Sequence, residues 1–411
     1  MTDSSASLHF RHFLFLWFGA AVSVAEILAG GLLAPLGFSA GLAAILLGHL
    51  IGTTLLVLGG IIGTRERVPA IESTRISFGF LGAGLFSVLN VLQLVGWTAV
   101  MIISAARSVN EITRLLWQLD NVALWSVAIG GLIFAWIALG REGGWKKVNM
   151  VAVFLLFGLT VILSAIVFRD PAALAKPAAG GMSFGEGVEL GVVMPLSWLP
   201  LIADYTRFAK SGKGAAWGSW IGYFVGSCWI YAIGLGGAIA AGNADPSAIM
   251  LAANLGIAAL AIIVLATVTT TFMDAYSAGV SFTTLYGKLN EKQVALAMAV
   301  IGTGLALVAD MENYESFLLA IGSVFAPLFA VLLTDYFLLN NRTIRPELGG
   351  NWGALAVWAL GVALYYQILD LKFVLGATVP VMVVTSAIYI VVGRYAQKWS
   401  YCKKLPKLSV R

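Results

Sequence analysis

The chain has 411 residues, of which 60% are hydrophobic and 11% charged, with a formal net charge of +5. A soluble domain carries about 25% charged residues, so polar side chains are too few to cover a water-soluble globule. The positive balance does not point to nucleic acid, because the basic residues are distributed between apolar blocks along the whole chain.

The pattern predicts an all-α polytopic membrane protein. The first ten residues lack the n-region and h-region of a cleavable signal, and Arg11 opens the first permanent span. Twelve spans are predicted, at about 12–36, 41–63, 77–106, 122–140, 148–168, 188–203, 216–241, 250–287, 293–309, 315–339, 353–369 and 374–393. Leu32 to Ile62 and Val148 to Phe168 contain no Asp, Glu, Lys or Arg; a crossing of about 30 Å of hydrocarbon needs roughly 20 such residues. The eighth stretch exceeds one crossing, so its ends are expected to protrude or bend. Twenty of the 25 Lys and Arg residues fall at the N-terminus, in alternate loops and in the tail from Arg394 on, against five (Arg107, Arg114, Arg169, Lys176 and Lys372) in the other loops. Basic loops stay cytoplasmic, which predicts cytoplasmic N- and C-termini in a cell (inner or plasma) membrane. The tail Lys403–Arg411 suits contact with anionic membrane lipid. Cys228 and Cys402 are read as free thiols.

Two spans carry breaks. The first contains Gly19-Ala-Ala, Ala29-Gly-Gly31 and Pro35; the sixth contains Pro195 and Pro200 around Ser197-Trp198. Proline removes backbone donors, and broken backbone at membrane depth is tolerated only inside protein or against a cavity. Spans one and six correspond if a five-helix unit repeats with inverted topology, and interrupted segments at matching positions point to a transporter site.

Polar residues inside spans are costly and usually functional. Glu26, in Ser23-Val-Ala-Glu26, falls in the first turn of a restarted half-helix, where a carboxylate is favoured. Two readings stand: a partner for a substrate amino group or ring nitrogen, also able to carry a proton, or a carboxylate capping backbone amides. Glu189 is a borderline intramembrane acid. Gln93 and Trp97 share a helix face, an amide beside a flat ring, which suits a planar heterocycle or simple packing. Ser197 and Trp198 sit in the second break, Trp198 as a second platform or as packing. Thr269-Thr-Thr271 offers hydroxyl oxygens for an alkali cation or for bonds to its own helix, and Asp274, four residues past Thr270, suits cation, substrate or a structural bond. No enzyme is expected: His9, His12 and His49 are scattered, and neither a Walker-type phosphate loop nor a Cys/His metal spacing is present.

At Leu94-Val-Gly-Trp97, Ala203-Asp-Tyr-Thr-Arg-Phe208 and Thr269-Thr270…Tyr276-Ser-Ala-Gly279, the chain resembles the nucleobase–cation symporter-1 family, the cytosine permease-like transporters. The resemblance runs from about Phe13 to Arg394. Ala25-Glu26-Ile, Leu33-Ala-Pro-Leu-Gly37 and Asn90-Val-Leu-Gln-Leu-Val-Gly-Trp-Thr-Ala99 are most similar to its hydroxymethylpyrimidine (CytX-like) branch, associated with thiamine salvage. It implies a LeuT-type fold of two inverted five-helix repeats (12–168 and 188–339), two extra helices (353–393) and a cytoplasmic tail (394–411). It also implies Na+ as coupling ion, held by carbonyls of Phe18, Ala21 and Ala266 and hydroxyls of Thr269 and Thr270. For substrate it implies Trp97, with Gln93 one position out of register, Pro195 where an aromatic is expected, Ser197 matched and Thr271 in place of an asparagine; Ser23, Glu26, Trp198 and Asp274 complete the candidate set. Taken together, these features predict sodium-coupled uptake of hydroxymethylpyrimidine. Cytosine, another nucleobase or hydantoin is the alternative cargo, a proton the alternative ion, and a non-transporting membrane receptor the alternative class.

Overall fold

The computed structural model describes residues 8–139, 144–255, 257–285, 289–309, 314–345 and 348–396. The basic tail, Cys402 and Arg141 lie outside them. Helices succeed one another as α1 (Phe10–Ala21), α2 (Val24–Leu32), a 3-10 turn (Ala34–Leu36), α3 (Phe38–Glu66), α4 (Ala70–Ser73), α5 (Arg75–Trp117), α6 (Val122–Leu139), α7 (Gly144–Val167), α8 (Pro171–Leu174) and α9 (Phe184–Ser197). They continue as α10 (Leu199–Thr206), α11 (Gly212–Ala241), α12 (Pro246–Ala252), α13 (Ile257–Leu285), α14 (Glu291–Ala306), α15 (Tyr314–Leu333), a π turn (Thr334–Leu338), α16 (Trp352–Leu369) and α17 (Thr378–Ala396). Among the described residues the only strand-like pairing is one isolated bridge, Leu8 to Ala209.

Among the described residues eight helices are long and apolar enough to cross a membrane, nine with α1 and α2 taken as one bent span. The other three predicted spans fall on α7, α14 and α17, whose apolar lengths are shorter. Centre and periphery differ as expected for a bundle in lipid. Of the apolar stretch of Phe184–Thr206, 94% is buried, against 28% for Val122–Leu139 and 22% for Trp352–Leu369. The outward residues of those peripheral helices, such as Leu124, Val127, Leu132 and Leu360, are apolar and exposed, which needs hydrocarbon rather than water around them.

The first span breaks where expected, with a 60° bend between its halves. Both halves lie on α11, which meets them with glycine. A Cβ on Gly222 would sit 2.3 Å from the Leu14 carbonyl oxygen, and one on Gly234 2.1 Å from that of Ile27. Reciprocally, a Cβ on Gly30 would sit 2.2 Å from the Tyr231 carbonyl oxygen. Small residues let membrane helices approach to backbone contact, and this brings α2 against polar groups of α11.

Two expectations need correction, and a third is met. The sixth span is not sharply broken: α9 and α10 are separated by Trp198 alone, whose dihedrals (φ −86°, ψ −13°) remain helical. Leu201 N–H turns to the Trp198 carbonyl (3.1 Å), and the Ser197 carbonyl this releases accepts from Gln93 Nε2 at 2.8 Å. The eighth stretch bends near its start, as expected: α12 and α13 are parted by a turn in which Asn254 takes φ 53°. Span three continues to Trp117 and carries a kink at Gly79 (φ 70°, ψ −168°); a Cβ there would meet the Leu348 carbonyl oxygen at 2.7 Å.

Glu189 is structural. Its carboxylate accepts from Thr378 N–H (2.9 Å), Thr378 Oγ1 (2.7 Å) and Tyr365 hydroxyl (2.5 Å), capping the start of α17. Cys228 is a free, buried thiol.

Candidate functional site

Ser23 is the residue at which the first span stops and restarts. Its backbone is extended (φ −136°, ψ 156°), and its hydroxyl accepts from Glu26 N–H at 3.1 Å, an N-cap that satisfies one orphan donor of α2. The capping role therefore belongs to Ser23, and the Glu26 carboxylate is free to turn elsewhere. It accepts from the Tyr223 hydroxyl at 2.8 Å and from the Ser227 hydroxyl, both on α11.

Glu26 also faces a small, tight cavity. Ser23 and Ala25 line it with Glu26, α5 supplies Trp97 and Met101, the α9–α10 junction supplies Met194 and Trp198, and α13 supplies Thr270 and Asp274. Trp97 and Trp198 are 7% and 8% exposed. Trp97 stands across the ring of Phe317 at 5.3 Å between centroids, and Trp198 across that of Trp17 at 5.9 Å. Among the described residues no aromatic ring stacks face to face on either indole. Asp274 is 3% exposed, and no described residue gives its carboxylate a hydrogen bond or an ion pair. Buried carboxylates are ordinarily paired, so one aimed unpaired into a cavity suits a ligand that brings donors.

Five predicted substrate residues (Ser23, Glu26, Trp97, Trp198 and Asp274) thus meet at one cavity, and three do not. Gln93 spends both amide hydrogens on the Ser197 carbonyl and on Asn90 Oδ1 (3.1 Å), and it splints the α9–α10 junction. The Ser197 hydroxyl donates to the Met194 carbonyl at 2.7 Å, inside its own helix. Thr271, about 100° around the helix from Thr270, is fully buried away from the cavity, its hydroxyl without a hydrogen-bond partner among the described residues.

The predicted ion ligands divide similarly. Val22 N–H, which would continue the helical ladder to Phe18, bonds the Gly19 carbonyl instead (3.3 Å), and Ser23 N–H takes the Ala21 carbonyl (3.0 Å). Thr269 donates to the carbonyls of Leu265 (2.8 Å) and Ala266 (3.2 Å), the own-helix reading of that hydroxyl. Thr270 Oγ1 is buried with no partner among the described residues. The Thr270 orphan and the Phe18 carbonyl released at the break fit a cation. Ala21, Ala266 and Thr269 oxygens, though engaged, each keep a lone pair. Among the described residues no cluster of three or more His, Cys, Asp or Glu is placed to hold a metal ion.

Sequence reasoning passed over His49, Tyr223 and Ser227, which stand behind Glu26, and the methionines Met101 and Met194. The Gly48-His49 pair was visible in the sequence, but its partner lies 178 positions away on α11.

The fold recurs in known structures. Mhp1, a nucleobase-cation-symport-1 family transporter in a closed conformation with bromovinylhydantoin bound, superposes with a TM-score of 0.82 at 20% identity, over 98% of this chain and 95% of its own. A Na+-coupled sialic acid symporter gives 0.68 at 14% identity, over 98% and 94%. The chain is a membrane protein with the LeuT-type transporter fold. Residues 2–393 match the family of permeases for cytosine/purines, uracil, thiamine and allantoin. Cytosine permease of Escherichia coli (strain K12) is 27% identical over 359 residues, 85% of this chain and 84% of the relative; hydantoin permease of Microbacterium maritypicum is 23% identical over 88% and 82%. The chain belongs to the nucleobase–cation symporter-1 family. It is a permease-type transporter of small molecules, not an enzyme.

Proposed function

We propose that this permease imports a pyrimidine-like solute, with hydroxymethylpyrimidine as the cargo of choice, by symport with sodium. The observation that carries the reading is that two carboxylates, Glu26 and Asp274, and two indoles, Trp97 and Trp198, line one small cavity. A flat ring with an exocyclic amino group uses both: its faces lie on indole and its N–H donors meet carboxylate oxygens. The sodium assignment is supported by the unpartnered Thr270 hydroxyl and the freed Phe18 carbonyl, an uncharged donor set suited to a weakly hydrated monovalent ion rather than Mg²⁺. In this reading residues 12–168 and 188–339 are the inverted repeats, and both termini face the cytoplasm.

Proteoliposome uptake tests it directly. Radiolabelled hydroxymethylpyrimidine should accumulate with an inward sodium gradient and not when choline replaces sodium at fixed pH. Competition by unlabelled cytosine and hydantoin ranks the alternative cargoes. Sodium should tighten substrate by roughly 5–150-fold, the range of typical coupling energies, and substrate must tighten sodium by the same factor. Thr270→Val should erase that enhancement and leave sodium-free affinity unchanged. Trp97→Ala should weaken binding by about 1–3 kcal/mol, the scale of base stacking on an aromatic, with Trp97→Phe retaining part. Binding without flux would mark a receptor, and equal affinity in sodium and choline would remove sodium as the ion.

A further inference from the structure

Glu26 faces the cavity on one side and a buried chain of polar groups on the other. In series, the Ile45 carbonyl meets His49 Nδ1 at 2.9 Å, His49 Nε2 meets Ser227 Oγ at 2.6 Å, and Ser227 Oγ meets Glu26 Oε2. His49 and Ser227 are fully buried and Glu26 is 1% exposed. Each of these three contacts requires one hydrogen between its heavy atoms. A carbonyl contributes none, a neutral imidazole one, a serine hydroxyl one and a carboxylate none. Three contacts therefore face two hydrogens. The Tyr223 bond to Glu26 Oε1 brings its own hydrogen and does not alter the count.

We propose that Glu26, Ser227 and His49 form a binding site for one proton, distinct from the oxygen donors assigned to sodium and shared between carboxyl and imidazole through the serine hydroxyl. In one form Glu26 is a carboxylic acid donating to Ser227, whose hydroxyl donates to a neutral His49 protonated at Nδ1. In the other, the Glu26 hydrogen has passed to the Ser227 oxygen and the Ser227 hydrogen to His49 Nε2, leaving a carboxylate and an imidazolium. Two hydrogens shift, one unit of charge moves, and no other bond changes. Without the extra proton, lone pairs oppose each other at Ile45 or at Ser227, where water is excluded.

The neighbouring titratable groups do not supply the missing hydrogen. On α11, Tyr223 already donates to Glu26, Tyr231 donates to the Leu190 carbonyl (3.3 Å) while its ring stands across that of His49, and Cys228 is an apolar-packed thiol. From α15, Tyr314 donates to the Ala25 carbonyl at 3.0 Å. Asp274 on α13 faces the same cavity, and Glu189 on α9, the helix against α3, is saturated by Tyr365 and Thr378. One consequence reaches the cavity. In the first form the Glu26 hydrogen is committed to Ser227, and in the second it is gone. Glu26 therefore offers the cavity acceptor lone pairs in both, and a ligand group against it must be a donor.

The chain has 3 histidines, so selective 15N labelling isolates this one: His9→Gln with His12→Gln leaves His49 alone. The measurement uses the full-length protein in lipid without any pyrimidine, so its outcome is independent of the cargo. At pH 7, 15N shifts should show His49 protonated at Nδ1. The third hydrogen should appear either as protonated Nε2 or as a carboxylic-acid C=O infrared band that is lost in Glu26→Gln. Raising the pH should remove both signals in one coupled step. Glu26→Gln, whose amide supplies the hydrogen itself, should abolish that step. A neutral His49 together with ionised Glu26 at pH 7 in the otherwise wild-type protein overturns the site. Persistence of the same His49 titration in Glu26→Gln also overturns it, by assigning the proton to histidine alone.

Discussion

The two interrupted helices of this permease show that losing backbone donors and turning the chain are different events. The first span has no proline between Gly19 and Glu26, yet its halves diverge by 60°. Between Pro195 and Pro200 in the other span, only Trp198 falls outside α9 and α10, and it remains helical. A proline deletes a donor at one point, and a carbonyl freed nearby can find another, as that of Ser197, released when Leu201 N–H turns to Trp198, does in Gln93. A chain that changes direction needs an extended residue to swing it and a cap to restart it, and Ser23 supplies both. The sharper break is also the one that points a carboxylate into the cavity.

Substitutions that separate the two regions test this contrast. The largest effect belongs to the clamp that holds the restarted half-helix. Gly30→Val drives side-chain atoms into the Tyr231 carbonyl and should cost about 3 kcal/mol or more, the upper end of overpacking penalties. It should be read as a collapse of melting temperature in detergent, whereas Gly131→Ala, with open space around it, should melt like wild type. Next comes the splint of the milder junction. Gln93→Leu leaves the Ser197 carbonyl buried without a donor and should lower stability by about 1–3 kcal/mol, with Gln93→Glu failing to restore it because a carboxylate has no hydrogen to give. Smallest is Ser23→Ala, about 1 kcal/mol for a lost N-cap, with hydrogen exchange rising first at Glu26 N–H. If Ser23→Ala proved costlier than Gln93→Leu, the proline junction would be self-supporting and the contrast would reverse.

What the sequence made legible follows the range of each interaction. Each predicted apolar stretch has a helix in the structure, because hydrocarbon thickness imposes length and composition locally. Glu26 was placed correctly in the first turn of α2 because its cap, Ser23, stands three residues away. The proline signal at Pro195 and Pro200 misled, since proline announces a missing donor and not who replaces it. Gln93 was read as a ligand group for the same reason: its true partner, Ser197, lies 104 positions on. Thr269, Thr270 and Thr271 looked alike in sequence, and only the helix's own carbonyls and the direction of the cavity tell them apart. His49 was set aside as scattered, since pairing across 178 residues leaves no periodic trace.

The glycine contacts along α11 carry a mechanical consequence. Where two helices interlock by side chains, sliding one past the other means unseating knobs from holes. At Gly222 and Gly234, the carbonyl ridge of the bent first span rests on bare backbone instead. Such a contact is unforgiving of added bulk, but it has no rotamers to unlock. Sliding along it at these two positions therefore unseats no side chain.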